Sequence, residues 1–285
     1  MYKFLVLFFS FYLLFVLQTL AQNKYFINYF HKAEKYFQEE EFTFAKLYYD
    51  SALLKNPNHT ASYFKKGLCY FILEDYQSAI KDFNRTISLG NRLALAYSLR
   101  ADCKMRMGNI DGGLLDLDTT IQLEPNNYDY RVDRGLAFFA EDHYYKALSD
   151  FFYAYDLDST RFKLNYYIGL IFVNLNESDY ALKYLKKSLA VDSTNDDLNI
   201  LLAQNYFEKK DYDLALKFVN QCIKPSDTES VKYYLRALIY FFNHSSEDNA
   251  LGIADVKTAI QLGSDLAIIF WKKYFEDCIE PFKKL

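Results

Sequence analysis

Residues 60–93 read TASYFKKGLCYFILEDYQSAIKDFNRTISLGNRL, and the spacing of small residues within them decides the fold. Gly67 and Ala79 lie 12 apart, Thr86 follows seven later, and bulky Phe83 stands between the last two. Stepping outward by 34 in either direction finds the same marks again. The first series is Ala33, Gly67, Ala101, Gly135, Gly169, Ala203 and Ala237. The second is Ala45, Ala79, Gly113, Ala147, Ala181 and Ala215, with Gly252 three residues late. The third is Ala52, Thr86, Thr120, Ala154, Ser188, Cys222 and Ala259. Between the second and third stand Tyr49, Phe83, Leu117, Phe151, Leu185, Val219 and Val256, and aromatic Tyr36, Tyr70, Phe138, Phe172, Tyr206 and Tyr240 follow the first, with Lys104 as the exception. Two packed helices have this pattern: a small residue on one admits a large residue of the other, and i, i+3, i+4, i+7 spacing keeps them on one stripe. A period of 34 residues then makes each unit a helical hairpin that buries its apolar face only by stacking on its neighbours.

These positions, with Pro57 and Pro125 at unit ends, closely resemble the tetratricopeptide (TPR) repeat over roughly residues 26–266. The early Trp of that family is replaced by Tyr63 and Tyr97, and most units lack the closing Pro. The resemblance implies an all-α, right-handed α-solenoid of seven TPR repeats at 26–59, 60–93, 94–127, 128–161, 162–195, 196–229 and 230–266, then a capping helix at 267–285. The seventh carries an insertion around Asn243 to Asn249, expected to lengthen the turn between its helices. In the cap, Ile268, Trp271, Phe275, Cys278 and Phe282 share one helical face, and Pro281 ends it. The other end has no comparable cap, which leaves Phe26, Ile27 and Phe30 as a candidate exposed apolar end, and self-association through it is a possible consequence.

Half the residues are apolar, 19% are aromatic, and only 9 Gly and 4 Pro occur, which disfavours a turn-rich β fold or a disordered chain. A net charge of −4 with no basic cluster gives no footprint for nucleic acid. The first 21 residues read as a signal peptide: basic Lys3, an apolar run from Phe4 to Leu17 broken only by Ser10, and a small-x-small ending that predicts cleavage after Ala21. The alternative is an uncleaved N-terminal anchor, against which the run is short of the roughly 20 residues that span a bilayer. No Cys stands at the junction for a lipid. The Leu-Ala-Gln ending and the Asn/Lys/Tyr/Phe-rich composition resemble exported proteins of AT-rich bacteria, so the mature chain is expected in the periplasm or outside the cell, secreted, with no stable membrane span. The four cysteines, Cys69, Cys103, Cys222 and Cys278, are spaced too widely for a CxxC pattern and read as buried thiols.

Beyond the family pattern, Lys66, Arg100, Arg134 and Arg236 precede the first small position in repeats two, three, four and seven, which also carry Asp82, Asp116, Asp150 and Asp255. Repeats five and six replace both charges, with Ile168 and Tyr184 and with Leu202 and Phe218, and repeat one sets Lys32 opposite Tyr48. Such pairs are expected to bridge the two helices of a repeat or neighbouring repeats, because a half-buried Arg needs a carboxylate. Lys104 is expected to snorkel its stem over the core.

The phosphate loop, HExxH zinc pair, GxSxG nucleophile turn and dinucleotide fingerprint are all missing from the sequence. His31, His59, His143 and His244 fall in different repeats without a second ligand at helical spacing. No catalytic residue, metal or cofactor is therefore expected. In TPR proteins the first helix of each repeat lines a concave groove for a partner's peptide or helix. Carried onto this register, the candidates are Phe30, Glu34 and Phe37; Phe64, Leu68 and Phe71; Ser98, Asp102 and Met105; Val132, Leu136 and Phe139; Tyr166, Leu170 and Val173; Ile200, Gln204 and Phe207; and Tyr234, Leu238 and Phe241. The stripe is chiefly apolar and lacks a dense basic clamp, so a hydrophobic or extended protein segment is the expected partner. The resulting expectation is a non-enzymatic interaction scaffold of the cell envelope. The alternatives are an adaptor subunit of an export or outer-membrane assembly complex, or an enzyme with an unrecognised groove site.

Overall fold

A computed structural model of the chain describes residues 23–90, 93–159, 162–191, 195–224, 227–243 and 246–275. The expected signal peptide with its cleavage after Ala21, His244, and Cys278, Pro281 and Phe282 of the expected cap lie outside the described residues. The described residues form fifteen helices and no strand. They are α1 (residues 23–38), α2 (Phe42–Leu53), α3 (Thr60–Ile72), α4 (Tyr76–Ser88), α5 (Ala94–Arg106), α6 (Ile110–Leu123), α7 (Tyr128–Ala140), α8 (Tyr144–Leu157), α9 (Phe162–Asn174), α10 (Ser178–Leu189), α11 (Asp196–Glu208), α12 (Tyr212–Cys222), α13 (Ser230–Asn243), α14 (Ser246–Gln261) and α15 (Asp265–Phe275). The chain divides into two compact units, residues 1–150 and 151–285. In the first, α3 packs on α4 and α5 on α6, and α2, α4 and α6 each also pack on the helix that follows. In the second, α9 pairs with α10, α11 with α12 and α13 with α14, with α10–α11 and α12–α13 contacts between the pairs.

One turn is repeated six times. Glu40, Glu74, Gly108, Asp142, Asn176 and Lys210, each 34 after the last, adopt positive φ between 57° and 82°. There the N–H of Asp75 reaches back to the Tyr70 carbonyl at 2.9 Å and that of Glu74 to Phe71 at 3.0 Å, the Schellman closure that satisfies the last carbonyls of a helix. The same two bonds recur at each of the other five positions. The residue after the turn starts the next helix: the side chains of Asp75, Asn109 and Asp211 accept from the N–H groups of Ser78, Gly112 and Leu214.

The bulky series from Tyr49 to Val256 is 0–1% exposed at all seven positions, so it forms the core of the hairpins. A Cβ added at Gly67 would stand 2.8 Å from the Phe83 ring and one at Gly169 2.6 Å from a Leu185 methyl, which accounts for the glycines in those repeats. The hydroxyls buried in the third series cost little, because Thr86 and Thr120 donate at 2.9 Å to carbonyls four residues back.

Three expectations need correction. The insertion in repeat seven does not lengthen its turn: α13 ends at Asn243 and α14 begins at Ser246, while α14 is the longest of the even-numbered helices at 16 residues. The three extra residues add nearly one turn to its start, which keeps Gly252 against Phe241. The closing helix begins at Asp265, capped by the Ser264 hydroxyl; Trp271 and Phe275 of the expected face pack inward, but Ala267 and Phe270 rather than Ile268 lead it. At the other end, Phe26 and Phe30 are half-buried against the His59 ring, 4.7 and 5.0 Å away, and only Ile27 of the expected trio is exposed, beside Tyr25.

Candidate functional site

All twenty-one groove candidates stand on odd-numbered helices, and every one is half-buried, neither sealed in the core nor fully in solvent. Many also have packing roles. Phe37 meets Phe42, Phe71 meets Tyr76, Phe139 meets Tyr144 and Phe207 meets Tyr212, with ring centroids 5.5–6.1 Å apart, so an aromatic pair across the turn recurs in four repeats. Phe30, Phe64, Leu68 and Met105 also pack on core clusters of the first unit, and Tyr166, Val173 and Ile200 on the main cluster of the second. Glu34 is occupied within the chain: the Tyr49 hydroxyl donates to it, and Lys65 lies 3.7 Å away with its ammonium 4.4 Å from the centroid of the Phe37 ring. In repeat seven, α15 takes part of the face, with Phe270 against Tyr234 and Phe241 and Phe275 against Phe241, as the first helix of a further repeat would.

The first unit brings Phe71, Ser98, Asp102, Met105 and Leu136 together around a pocket of about 440 Å³. Leu99, Leu117 and Asp133 complete the lining. These last three were not among the candidates, since Leu117 is core and the other two fall one place beyond Ser98 and Val132 in the register. Asp102 is half in use, bonded to Arg106 at 2.8 Å on its own helix, and that guanidinium in turn lies over Phe71 and Tyr76. Asp133 is exposed at the edge of the pocket and has no such cation among the described residues.

The charged pairs join both kinds of neighbour. Arg100 holds Asp116 of its own repeat bidentately at 2.8 and 2.6 Å and donates to Asn84 of the preceding repeat at 2.6 Å. Arg134 does the same with Asp150 and Asp118, and Arg236 with Asp255 and Asn220. Lys66 sits between Asp50 and Asp82, 2.8 and 3.2 Å away. Lys104 does not snorkel outward: its ammonium turns in to Asp116 at 2.7 Å and donates to the Gly112 carbonyl at 3.2 Å, because Asp116 is nearly sealed from water and takes a second cation. Lys32 of repeat one lies over the Tyr48 ring, 5.6 Å from its centroid.

Cys69, Cys103 and Cys222 are buried free thiols, pushed up by burial to about 12, 12 and 11, so they remain protonated and poorly nucleophilic at neutral pH. Among the described residues no three His, Cys, Asp or Glu side chains gather to hold a metal ion, and no helix is long and apolar enough to cross a membrane.

Two family models, both described as tetratricopeptide repeat, match residues 32–92 and 196–224. Serine/threonine-protein phosphatase 5 of Rattus norvegicus is 29% identical over 101 residues, 35% of this chain and 20% of the phosphatase. The Hsp70-Hsp90 organizing protein of Triticum aestivum is 29% identical over 125 residues, 44% of this chain and 19% of its own. The chain thus spans about a fifth of the length of these curated relatives. Among solved structures, the C-terminal part of a TPR repeat-containing protein from Cytophaga hutchinsonii aligns with a TM-score of 0.71 at 17% identity, over 84% of this chain and 98% of that one. A tetratricopeptide repeat protein from Parabacteroides merdae aligns at 0.63 and 16%, over 87% and 96%. YrrB, described as a TPR protein with an unusual peptide-binding site, aligns at 0.59 and 17%, over 67% and 97%. At these identities the structural likenesses are of fold, and they agree with the register of small residues, the six Schellman turns and the two family matches: the chain is a tetratricopeptide-repeat protein.

Proposed function

We propose that this protein is exported, cleaved after Ala21, and works in the cell envelope as a non-enzymatic scaffold that binds a segment of another protein along the odd-numbered helices. The observation that carries the reading is the half-burial of all twenty-one stripe residues: each is held in place by its neighbours yet keeps surface for a partner, the condition for a preorganised binding face. The named relatives include an organizing protein for Hsp70 and Hsp90, which supports protein binding as the use of this repeat. Export rests on the sequence of residues 1–21.

The test is capture from the envelope fraction of the source cell by the tagged wild type and two triple variants, with melting curves to verify folding. One variant changes the stripe (Leu136→Ser, Leu170→Ser, Leu238→Ser). The other changes exposed residues of even-numbered helices (Leu47→Ser, Leu115→Ser, Tyr180→Ser). A partner lost by the first and kept by the second supports the reading, and the reverse pattern moves binding to the other face. Export is checked on the same cells: a mature chain starting at Gln22 outside the cytoplasm is expected, and an intact N-terminus would overturn cleavage.

A further inference from the structure

The register of the first unit compares two equivalent places. Glu34 of repeat one and Lys65 of repeat two are an ion pair, with the ammonium over the Phe37 ring. Moving each forward by two repeats, 68 residues, gives Asp102, Asp133 and Met105. The carboxylate is preserved at the first position, a large apolar side chain at the third, and the cation at the second has become another carboxylate. Where the first place is filled from within the chain, the second is the pocket of about 440 Å³, with Leu99 and Leu136 on its wall and Leu117 behind.

We propose that this pocket takes a lysine or arginine side chain from the partner segment, its charge set beside Asp102 and Asp133 and its aliphatic stem against Met105, Leu99 and Leu136. The assignment rests on the reading of the odd-numbered helices as the binding face and names the chemistry of the occupant. Charge complementarity excludes an acidic residue here, since a third carboxylate beside two would be repelled at close range. A purely apolar side chain would bury Asp133 without a partner, which costs more than leaving the pocket open to water. A long cation satisfies both parts of the lining, because lysine and arginine carry apolar stems beneath a charged head. Arg106 leaves room for it: that guanidinium engages Asp102 from the same helix and lies over Phe71 and Tyr76, so Asp133 has no cation among the described residues. Ser98 on the rim offers a hydroxyl to the incoming backbone or to an arginine.

A phage-displayed library of random linear peptides, panned on the full-length chain, supplies defined probes, and the peptides it yields are titrated against the wild type, Asp133→Asn and Asp133→Lys. The lysine variant rebuilds the arrangement of Glu34 with Lys65, so it fills the pocket from within and is expected to melt no lower than the wild type. Peptides carrying Lys or Arg among apolar residues should dominate, weaken by about tenfold or more with Asp133→Asn, and fail to bind Asp133→Lys. Enriched peptides without a basic residue, or basic peptides that Asp133→Lys still binds, would overturn the pocket assignment and leave peptide binding intact. No enriched peptide at all would overturn the assignment together with the reading of the face on which it rests.

Discussion

The same place in each hairpin is closed in two different ways. In repeats two, three, four and seven a cation on the odd-numbered helix meets an aspartate on the even-numbered one. In repeats one, five and six the aspartate is replaced by Tyr48, Tyr184 or Phe218, and that ring stacks on the aromatic of the helix before it. The pairs are Tyr36 with Tyr48 at 5.2 Å and 10°, Phe172 with Tyr184 at 5.9 Å and 16°, and Tyr206 with Phe218 at 5.6 Å and 5°. A sealed ion pair and well-packed apolar groups of similar volume are worth about the same to a fold, whereas half of either is costly. This accounts for the way charges occur together or not at all in repeats two to seven, while in repeat one Lys32 lies over the Tyr48 ring. A third position follows the pattern. Each bridging cation also reaches Asp50, Asn84, Asp118 or Asn220 in the preceding repeat. The equivalent places before repeats five and six hold Phe152 and Lys186.

Breaking the aromatic closure from one side should have the largest effect. Phe218→Asp removes a ring that is 8% exposed and sets a carboxylate opposite Leu202, which is fully buried, so a loss of about 4 kcal/mol in chemical denaturation is expected. Adding Leu202→Arg supplies the partner, but the new guanidinium would face the ammonium of Lys186, which in the wild type lies over the Tyr206 ring. Only the triple change, with Lys186→Asn to copy Asn84 and Asn220, should recover more than half of the loss. If the double recovers as much as the triple, the third position has no part in the closure.

Within the charged closures, Lys66 is the weak member. A guanidinium offers two parallel N–H groups to a carboxylate, and Arg100, Arg134 and Arg236 use both, whereas the single ammonium of Lys66 leaves Oδ2 of buried Asp82 with no hydrogen bond. Burial pushes the Asp82 carboxyl up to about 6, against the attraction of Lys66. A folded-state value above the unfolded one means that the native state holds this proton longer, so the contribution of Asp82 to stability is fully present below about pH 4 and is lost as pH rises through about 6. Lys66→Arg should add about 1 kcal/mol at pH 7 and flatten that slope, as read from denaturation midpoints at pH 4.5, 6 and 7.5. An unchanged slope would mean that Asp82 is not its source.

The hairpins, the small residues and the charged pairs could be read from the sequence because each repeats at one register and has a single physical cause, close helix approach or charge compensation. Their double reach, within a repeat and to the one before, could not, because the second acceptor alternates between Asp and Asn and so carries no uniform signature. Lys104 was misread for a related reason: an exceptional residue was assigned by its own habit of snorkelling rather than by what Asp116 required. The pocket was legible only in part. Ser98, Asp102, Met105 and Leu136 follow from the repeat, while Asp133 matters through the residue two repeats earlier that it fails to match. The insertion gave no clue to its placement, since added residues can enter either a turn or a helix start, and here Ser246 begins the longer helix.

The turns were hidden for a different reason, and they supply the finest test of the two closures. Of the six left-handed positions in this register only Gly108 is glycine; Asp142 and Asn176 are types that tolerate such backbone, but Glu40, Glu74 and Lys210 give no signal of it. A side chain at such a φ costs roughly 1–2 kcal/mol, and glycine gives back about half of the gain through the greater freedom of its unfolded chain. Glu74→Gly in a charged repeat and Lys210→Gly in an aromatic one should therefore each stabilise by about 0.5 kcal/mol, and Gly108→Ala should destabilise by a similar amount. The Schellman bonds run backbone to backbone in both repeats, Asp75 to Tyr70 and Asp211 to Tyr206 at 2.9 Å each, so the way the hairpin is closed should not alter the gain. Equal shifts in melting temperature for the two glycine variants would confine the difference between the repeats to the closing site. Unequal shifts would mean that the ion pair or the stacked rings also set the geometry of the turn.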